Sequence, residues 1–238
     1  MRLLLLSNST LPGEPYLAWP RDLIAGFLAT GVRRVAFVPF AGVRLGWDAY
    51  TFRVQEALAP LGLEVVPVVG AGGAGVLAEC EAVLVGGGNT FQLVAELHRT
   101  GLLEAIGARV RGGMPYVGWS AGAVVACPTI RTTNDMPIVE PPSFRALGLV
   151  PFQLNAHYTE AVLPNHGGET RQERLAEFLA LNPDVTVLGL REGSGLRLEG
   201  THLTLVGTHP LTLFTHDAAP RELAPGAVLD DLILPAHA

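Results

Sequence analysis

Ser120 sits inside Met114-Pro115-Tyr116-Val117-Gly118-Trp119-Ser120-Ala121-Gly122-Ala123, a short apolar run that passes through Gly-x-Ser-x-Gly into the small residues of Ala121–Ala126. A nucleophilic hydroxyl needs this order of strand, sharp turn and helix. The turn holds the serine in a strained conformation, and side chains at Gly118 or Gly122 would collide with neighbouring backbone. A helix that starts beside the serine aims unpaired N–H groups at the reacting centre, so the Ala121 amide is a candidate oxyanion donor. The chemistry such a turn supports is covalent catalysis through a serine. Gly-x-Ser-x-Gly alone is a weak pattern; between a strand and a helix it is a good one.

Gly86-Gly87-Gly88-Asn89 also follows an apolar run and opens a helical segment. Successive glycines allow close backbone approach and present N–H donors in a nest, which makes the Gly88 amide the second candidate oxyanion donor. Asn89 has two readings, a helix cap completed by Gln92 in a capping box or a substrate contact. Gly70-Ala71-Gly72-Gly73-Ala74-Gly75 satisfies G-x-G-x-x-G after the strand Glu64–Val69. A dinucleotide site, however, needs a full crossover helix after the glycines and an acidic residue ending the next strand. Only Val76–Glu81 intervenes here and the next strand ends in Gly86, so the run is expected to be a loop that binds no nucleotide.

A serine nucleophile needs a base. All 16 basic residues are Arg, which excludes serine–lysine dyads, Schiff-base lysines and pyridoxal phosphate enzymes and leaves histidine. The seven histidines are His98, His157, His166, His202, His209, His216 and His237. His157 follows Gln153-Leu154-Asn155-Ala156, a short strand expected beside the serine turn. The chain order of α/β-hydrolases instead puts the acid before a late histidine, which would pair Ser120 with Asp184 and His209 or His216. His98 falls in a helical pattern where a surface role suffices. Cys80 and Cys127 lie in apolar stretches without metal-ligand spacing and read as buried, reduced thiols. No His, Asp or Glu cluster has metal-ligand spacing, so no metal is expected.

The elements that must position these groups follow from hydrophobic periodicity. Strands are expected at Leu3–Leu6, Arg34–Val38, Glu64–Val69, Ala82–Val85, Pro115–Val117 and Val185–Leu190. Helices are expected near Asp22–Ala29, Tyr50–Leu61, Thr90–His98, Leu102–Val110 and Thr170–Leu181. This alternation predicts an α/β fold, a mostly parallel twisted sheet with helices on both faces. After Gly193 the pattern changes to alternating strands around tight turns, Leu196–Leu198, Leu203–Leu205 and Leu211–Phe214, expected as an antiparallel meander at one edge of the sheet. No repeat or linker interrupts the chain, so residues 1–238 are expected to form a single domain. A net charge of -6 and a pI near 5.6 argue against nucleic acid or an anionic membrane as partner. The apolar start of the chain ends at Ser7, short of the ~7–15 residue core of a signal peptide, and reads as a first strand. The longest uncharged apolar run, Val65–Ala78, falls short of the ~18 residues of a spanning helix.

Five segments together resemble a known family: Gly86-Gly87-Gly88-Asn89-Thr90-Phe91, Gly118-Trp119-Ser120-Ala121-Gly122-Ala123, Thr133-Asn134-Asp135-Met136-Pro137-Ile138, Asn155-Ala156-His157 and Gly168-Glu169-Thr170-Arg171. In this order they resemble peptidase E, the bacterial α-aspartyl dipeptidases, related to cyanophycinases and to the class I glutamine amidotransferase-like, flavodoxin-like fold. The resemblance runs from the first strand to at least Glu192. It implies a cytoplasmic, cofactor-free serine peptidase, monomeric or homodimeric, acting on small peptides with an N-terminal aspartate. It also implies the order serine, histidine, acid, with Ser120 as nucleophile and His157 as base. Glu192, at the end of an expected strand, is preferred as the orienting acid, and Asp135, in the loop before His157, as a pocket residue. Either carboxylate could reach the imidazole.

Specificity for aspartate needs a cation, and Arg171 is the candidate. Thr170-Arg171-Gln172-Glu173 reads as a capping box that puts Arg171 in the first helical turn, where a positive charge opposes the helix dipole. An Arg set against that preference is explained by a carboxylate ligand, which a guanidinium grips through two parallel hydrogen bonds. Arg131, Arg145 and Arg191 are the other candidates. Three further readings share part of this evidence: a cyanophycinase-like hydrolase of β-aspartyl-arginine, an esterase with a late histidine, and a catalytically dead binding or amidotransferase-like module, against which an oxyanion site and a candidate base are present.

Overall fold

Five short runs rich in Val, Leu and Ala become parallel strands, because buried on both faces they leave no room for the alternation of a half-exposed strand. A computed structural model describes residues 1–28, 31–70, 72–161 and 167–234. The parallel strands are β1 (Arg2–Leu6), β2 (Arg34–Val38), β3 (Glu64–Pro67), β4 (Ala82–Val85) and β5 (Tyr116–Trp119). With β8 (Ser194–Glu199) and β9 (His202–Gly207) they form a seven-stranded sheet in the order β3-β2-β4-β5-β1-β8-β9. β8 runs antiparallel to β1, and β9 antiparallel to β8.

Successive side chains point to opposite faces, and the two faces bury different partners. Leu4, Leu6, Phe37, Leu84, Val117 and Trp119 pack with α1 (Arg21–Leu28) and α2 (Trp47–Leu58). Leu3, Leu5, Val38, Val83, Val85 and Tyr116 pack on the other side, with α3 (Gly73–Glu79), α4 (Thr90–Thr100), α5 (Leu102–Arg111) and α6 (Ala121–Val124). The fold is the expected α/β sheet with helices on both faces.

Two local expectations change. The antiparallel meander does not stay at one sheet edge. β10 (Leu211–Thr215) pairs with β7 (Val187–Leu190), and β7 pairs in parallel with β6 (Gln153–Ala156); with β11 (Ala218–Leu223) they form a second sheet, β11-β10-β7-β6. One face of it joins the core below α6 through Leu154, Leu188, Leu190 and Leu211. The other is covered by α7 (Arg171–Ala180) through Leu175 and Leu179. The glycine run expected as a loop also starts a helix, since α3 begins at Gly73. Gly73 is buried, and a methyl there would sit 3.0 Å from Val68 Cγ1. Close packing, more than helix propensity, holds this turn.

Candidate active site

β5 ends at Trp119 and α6 starts at Ala121, so Ser120 alone makes the turn. Its φ of 53° lies in the left-handed region, uncommon for a residue with a side chain. The glycines that flank it leave no alternative packing. A Cβ at Gly118 would lie 2.3 Å from the Gly122 carbonyl oxygen, and one at Gly122 would lie 2.0 Å from the Val85 carbonyl oxygen. Ser120 N–H donates to Leu6 at the end of β1, 2.9 Å away, which pins the turn to the centre of the sheet.

β6 delivers His157 to the same point. Its Nε2 lies 2.8 Å from Ser120 Oγ, and its Nδ1 lies 2.8 Å from Glu192 Oε1. The order of hydroxyl, imidazole and carboxylate is that of a proton relay. His157 also has a positive φ, 53°. Its conformation is held by Ser7, a residue whose local sequence gives it no role in the site. Buried Ser7 accepts the His157 N–H at 2.9 Å and donates to the Leu190 carbonyl at 2.8 Å. One hydroxyl thus ties the ends of β1, β6 and β7 together. Asn8 likewise accepts the Gly193 N–H beside Glu192, at 2.9 Å. The only sequence signal for either residue is position, just beyond the carboxyl end of a parallel strand, where open α/β sheets gather their sites.

Of the two candidate acids, Glu192 reaches the imidazole. Asp135 is spent elsewhere: its Oδ2 accepts Thr90 N–H at 2.7 Å, Thr90 Oγ1 at 2.5 Å and Thr133 Oγ1 at 3.2 Å. That places its carboxylate on the N-terminus of α4, where negative charge is favoured. It still lines the cleft beside Ser120 and His157. The late histidines have other partners than Ser120 among the described residues, although His209 packs against Gly193 beside Glu192. His216 pairs with Asp217 at 2.6 Å, and His209 contacts Thr208 at 3.3 Å. His98 contacts the Arg145 carbonyl at 3.0 Å. His166 and His237 lie outside the described residues.

The second glycine run lies against the first. A Cβ at Gly87 would be 2.9 Å from Ser120 Cβ, and one at Gly88 would be 2.1 Å from the Ala41 carbonyl oxygen. Gly88 and Ala121 both line cavities that contain Ser120 and His157. Asn89 caps α4 by accepting the Gln92 N–H at 3.0 Å, and its Nδ2 donates to the Met136 carbonyl at 2.9 Å. The cap is therefore real, while the reciprocal bond from the Gln92 side chain is not found among the described residues. Asn89 also lines the cleft, a volume of about 760 Å³ whose walls include Tyr16, Tyr50 and Ser120.

On the other side of His157, a second hollow of about 580 Å³ contains Arg171, Arg191, Glu160 and Glu192. Thr170 and Glu173 form the expected capping box, which presents Arg171 at the start of α7. Arg171 is half-buried and has no acidic partner among the described residues. Burial, then the charge of nearby Arg174, lowers its pKa, and Asp135 partly opposes them. The other candidate cations are engaged. Arg191 pairs with Glu160 and Glu222 at 2.7 and 2.8 Å, Arg145 pairs with Glu104 at 2.5 Å, and Arg131 lies over the Phe178 ring.

No group of three or more potential metal-ligating side chains occurs among the described residues. Cys80 and Cys127 are buried and unbonded to each other, and burial pushes both thiols up. No helix among the described residues is long and apolar enough to cross a membrane.

Residues 3–206 match the model of peptidase family S51. The chain belongs to that family. It is 48% identical over 233 residues to peptidase E of Nostoc sp., covering 98% of this chain and 96% of that one. It is 54% identical over 235 residues to peptidase E of Streptomyces coelicolor, covering 98% and 95%. Its fold also matches the structure of a peptidase from an acI-B1 Actinobacterium, with a TM-score of 0.70, 18% identity and coverage of 96% of each chain. Family membership makes this protein a peptidase, and the Ser120 cleft is the site in which to look for that activity.

Proposed function

We propose that this family S51 member is a serine-dependent dipeptidase that releases aspartate from the N-terminus of Asp-X dipeptides and short peptides. The observation that carries the reading is the hydrogen-bonded run from Ser120 through His157 to Glu192 on a strained turn. His157 takes the hydroxyl proton as Ser120 Oγ attacks the scissile carbonyl, then returns it to the leaving amine. Glu192 holds the imidazole in the tautomer that accepts at Nε2. The Gly88 and Ala121 amides receive the charge that develops on the carbonyl oxygen. A water, activated by the same imidazole, releases aspartate from the ester.

Arg171 supports the choice of substrate. A half-buried guanidinium that makes no ion pair among the described residues, with only the more distant charge of Asp135 opposing its burial, is a receptor for an anion. The substrate's side-chain carboxylate supplies one. The buried, free thiols fit action in the cytoplasm.

The test is a panel of Asp-Leu, Asn-Leu, Glu-Leu and β-Asp-Arg, assayed with the wild type and Arg171→Met. Wild type should prefer Asp-Leu. The substitution should lower kcat/KM on Asp-Leu by roughly 10²-fold or more, as expected for one partner of a desolvated charge pair, and on Asn-Leu far less. Equal losses on both would make Arg171 a structural residue, and wild-type preference for β-Asp-Arg would reassign the substrate.

A further inference from the structure

Beneath the glycines that face Ser120 lies a cluster of three aromatic polar groups. Tyr50 O–H donates to the Gly87 carbonyl at 3.0 Å. Its oxygen accepts from Trp119 Nε1 at 3.2 Å and from Tyr16 O–H at 3.2 Å, and Trp119 Nε1 also reaches Tyr16 at 3.1 Å. Trp119 is fully buried and Tyr50 nearly so. Each hydroxyl has a donor or acceptor facing it, so the cluster is satisfied as it stands. Burial, the largest influence on each phenol, raises both, which keeps them protonated donors.

The carbonyl that Tyr50 holds belongs to the same planar unit as the Gly88 N–H. In a trans peptide the two groups point in opposite directions, so fixing one aims the other. A peptide between two glycines has little of its own to resist rotation. We infer that Tyr50, backed by Tyr16 and Trp119, is a positioning residue that aims the Gly88 amide at the developing oxyanion. This rests on the reading of Gly88 as an oxyanion donor. The shape of the site supports it: a Cβ at Gly86 would fall 2.6 Å from the Tyr50 hydroxyl, so the phenol is pressed directly against the glycine segment. The hydrogen bond also polarises the peptide, which strengthens its N–H as a donor.

The experiment compares Tyr50→Phe with wild type in three measurements: steady-state hydrolysis of Asp-Leu, inhibition by the α-aldehyde of aspartate, and binding of free aspartate. The serine hydroxyl adds to the aldehyde carbon and gives a tetrahedral alkoxide like that of the intermediate, whereas free aspartate presents only a planar carboxylate that forms no bond to the serine. Tyr50→Phe should lower kcat by about 10- to 100-fold, a fraction of the ~10²–10³ lost with a whole oxyanion donor. It should weaken the aldehyde by a similar factor and leave aspartate binding and KM within about two-fold. Tyr16→Phe, which leaves the Tyr50–Gly87 bond in place, should lose less than ten-fold. An unchanged kcat and aldehyde affinity in Tyr50→Phe would overturn the inference while leaving Ser120 chemistry intact. A uniform loss across all three measurements with a lowered Tm would also overturn it, making Tyr50 a packing residue. A wild type that neither cleaves Asp-Leu nor binds the aldehyde would remove the proposed function and this inference together.

Discussion

Two glycine runs follow β3 and β4, which flank β2 in one sheet, and both lead into helices, yet they do opposite things. In the first, a Cβ at Gly70, Gly72 or Gly75 would meet nothing within 4 Å. In the second, a Cβ at Gly86, Gly87 or Gly88 would run into Tyr50, Ser120 or the Ala41 backbone. The first run fits a named nucleotide motif, but its short connection to the next strand argues against a site there in the sequence itself. Packing gives the same ranking. The absence of a side chain marks a site only where other atoms already occupy the space.

That contrast sets an order of expected effects. Gly122→Ala should be the most damaging, because its methyl would sit 2.0 Å from the Val85 carbonyl oxygen, a fixed backbone atom. We expect activity below detection and a Tm lowered by several degrees, the ordinary consequence of overpacking worth about 1–3 kcal/mol. Gly88→Ala comes next. A Cβ there meets Ala41 at a φ of +134°, so the amide should shift and kcat fall roughly 10²–10³-fold. A well-folded Gly88→Ala enzyme with wild-type kcat would break the comparison.

The two carboxylates extend it, one aimed at the reacting groups and one absorbed by the scaffold. Glu192→Gln should lower kcat by about 10²-fold or more with little change in KM, as when an imidazole loses its orienting acid. Asp135→Asn should cost only a few-fold, mainly in KM, with a slightly lower Tm from its weakened bonds to Thr90 and Thr133. The reverse ranking in kinetic assays would make Asp135 the acid of the relay. The smallest effect belongs to the open run. Gly75→Ala, on α3 with free space around it, should leave kcat unchanged and raise stability by about 0.5–1 kcal/mol in urea unfolding.

The site was legible in the sequence where its logic is local. The turn at Ser120, the cap on α7 by Thr170 and Glu173, and the position of His157 after a strand are all written within a few residues. What was not legible depends on long-range pairing. Ser7 supports His157 across 150 positions, and Asn8 supports Gly193 across 185; neither local spacing nor propensity encodes such a contact. The acid stayed ambiguous for the same reason. Glu192 and Asp135 both end near the carboxyl edge of the strands, and only the Thr90 and Thr133 hydroxyls show that Asp135 is engaged elsewhere. The second sheet escaped because β7 and β10 have ordinary strand patterns that do not say which sheet they join. Helix α3 escaped because its glycines suit a loop, and the packing against Val68 and Leu102 outweighs that preference.

The account turns on a covalent step at Ser120, and rapid quench followed by peptide mapping tests it most directly. Asp-Leu would be mixed with excess enzyme, stopped in acid within the first turnover and digested, and the fragments weighed by mass spectrometry. The account predicts an aspartyl ester on the fragment carrying Ser120, absent from Ser120→Ala, which should also lose turnover. Hydrolysis that proceeds at an undiminished rate in Ser120→Ala, or an aspartyl group on any other residue, would contradict it.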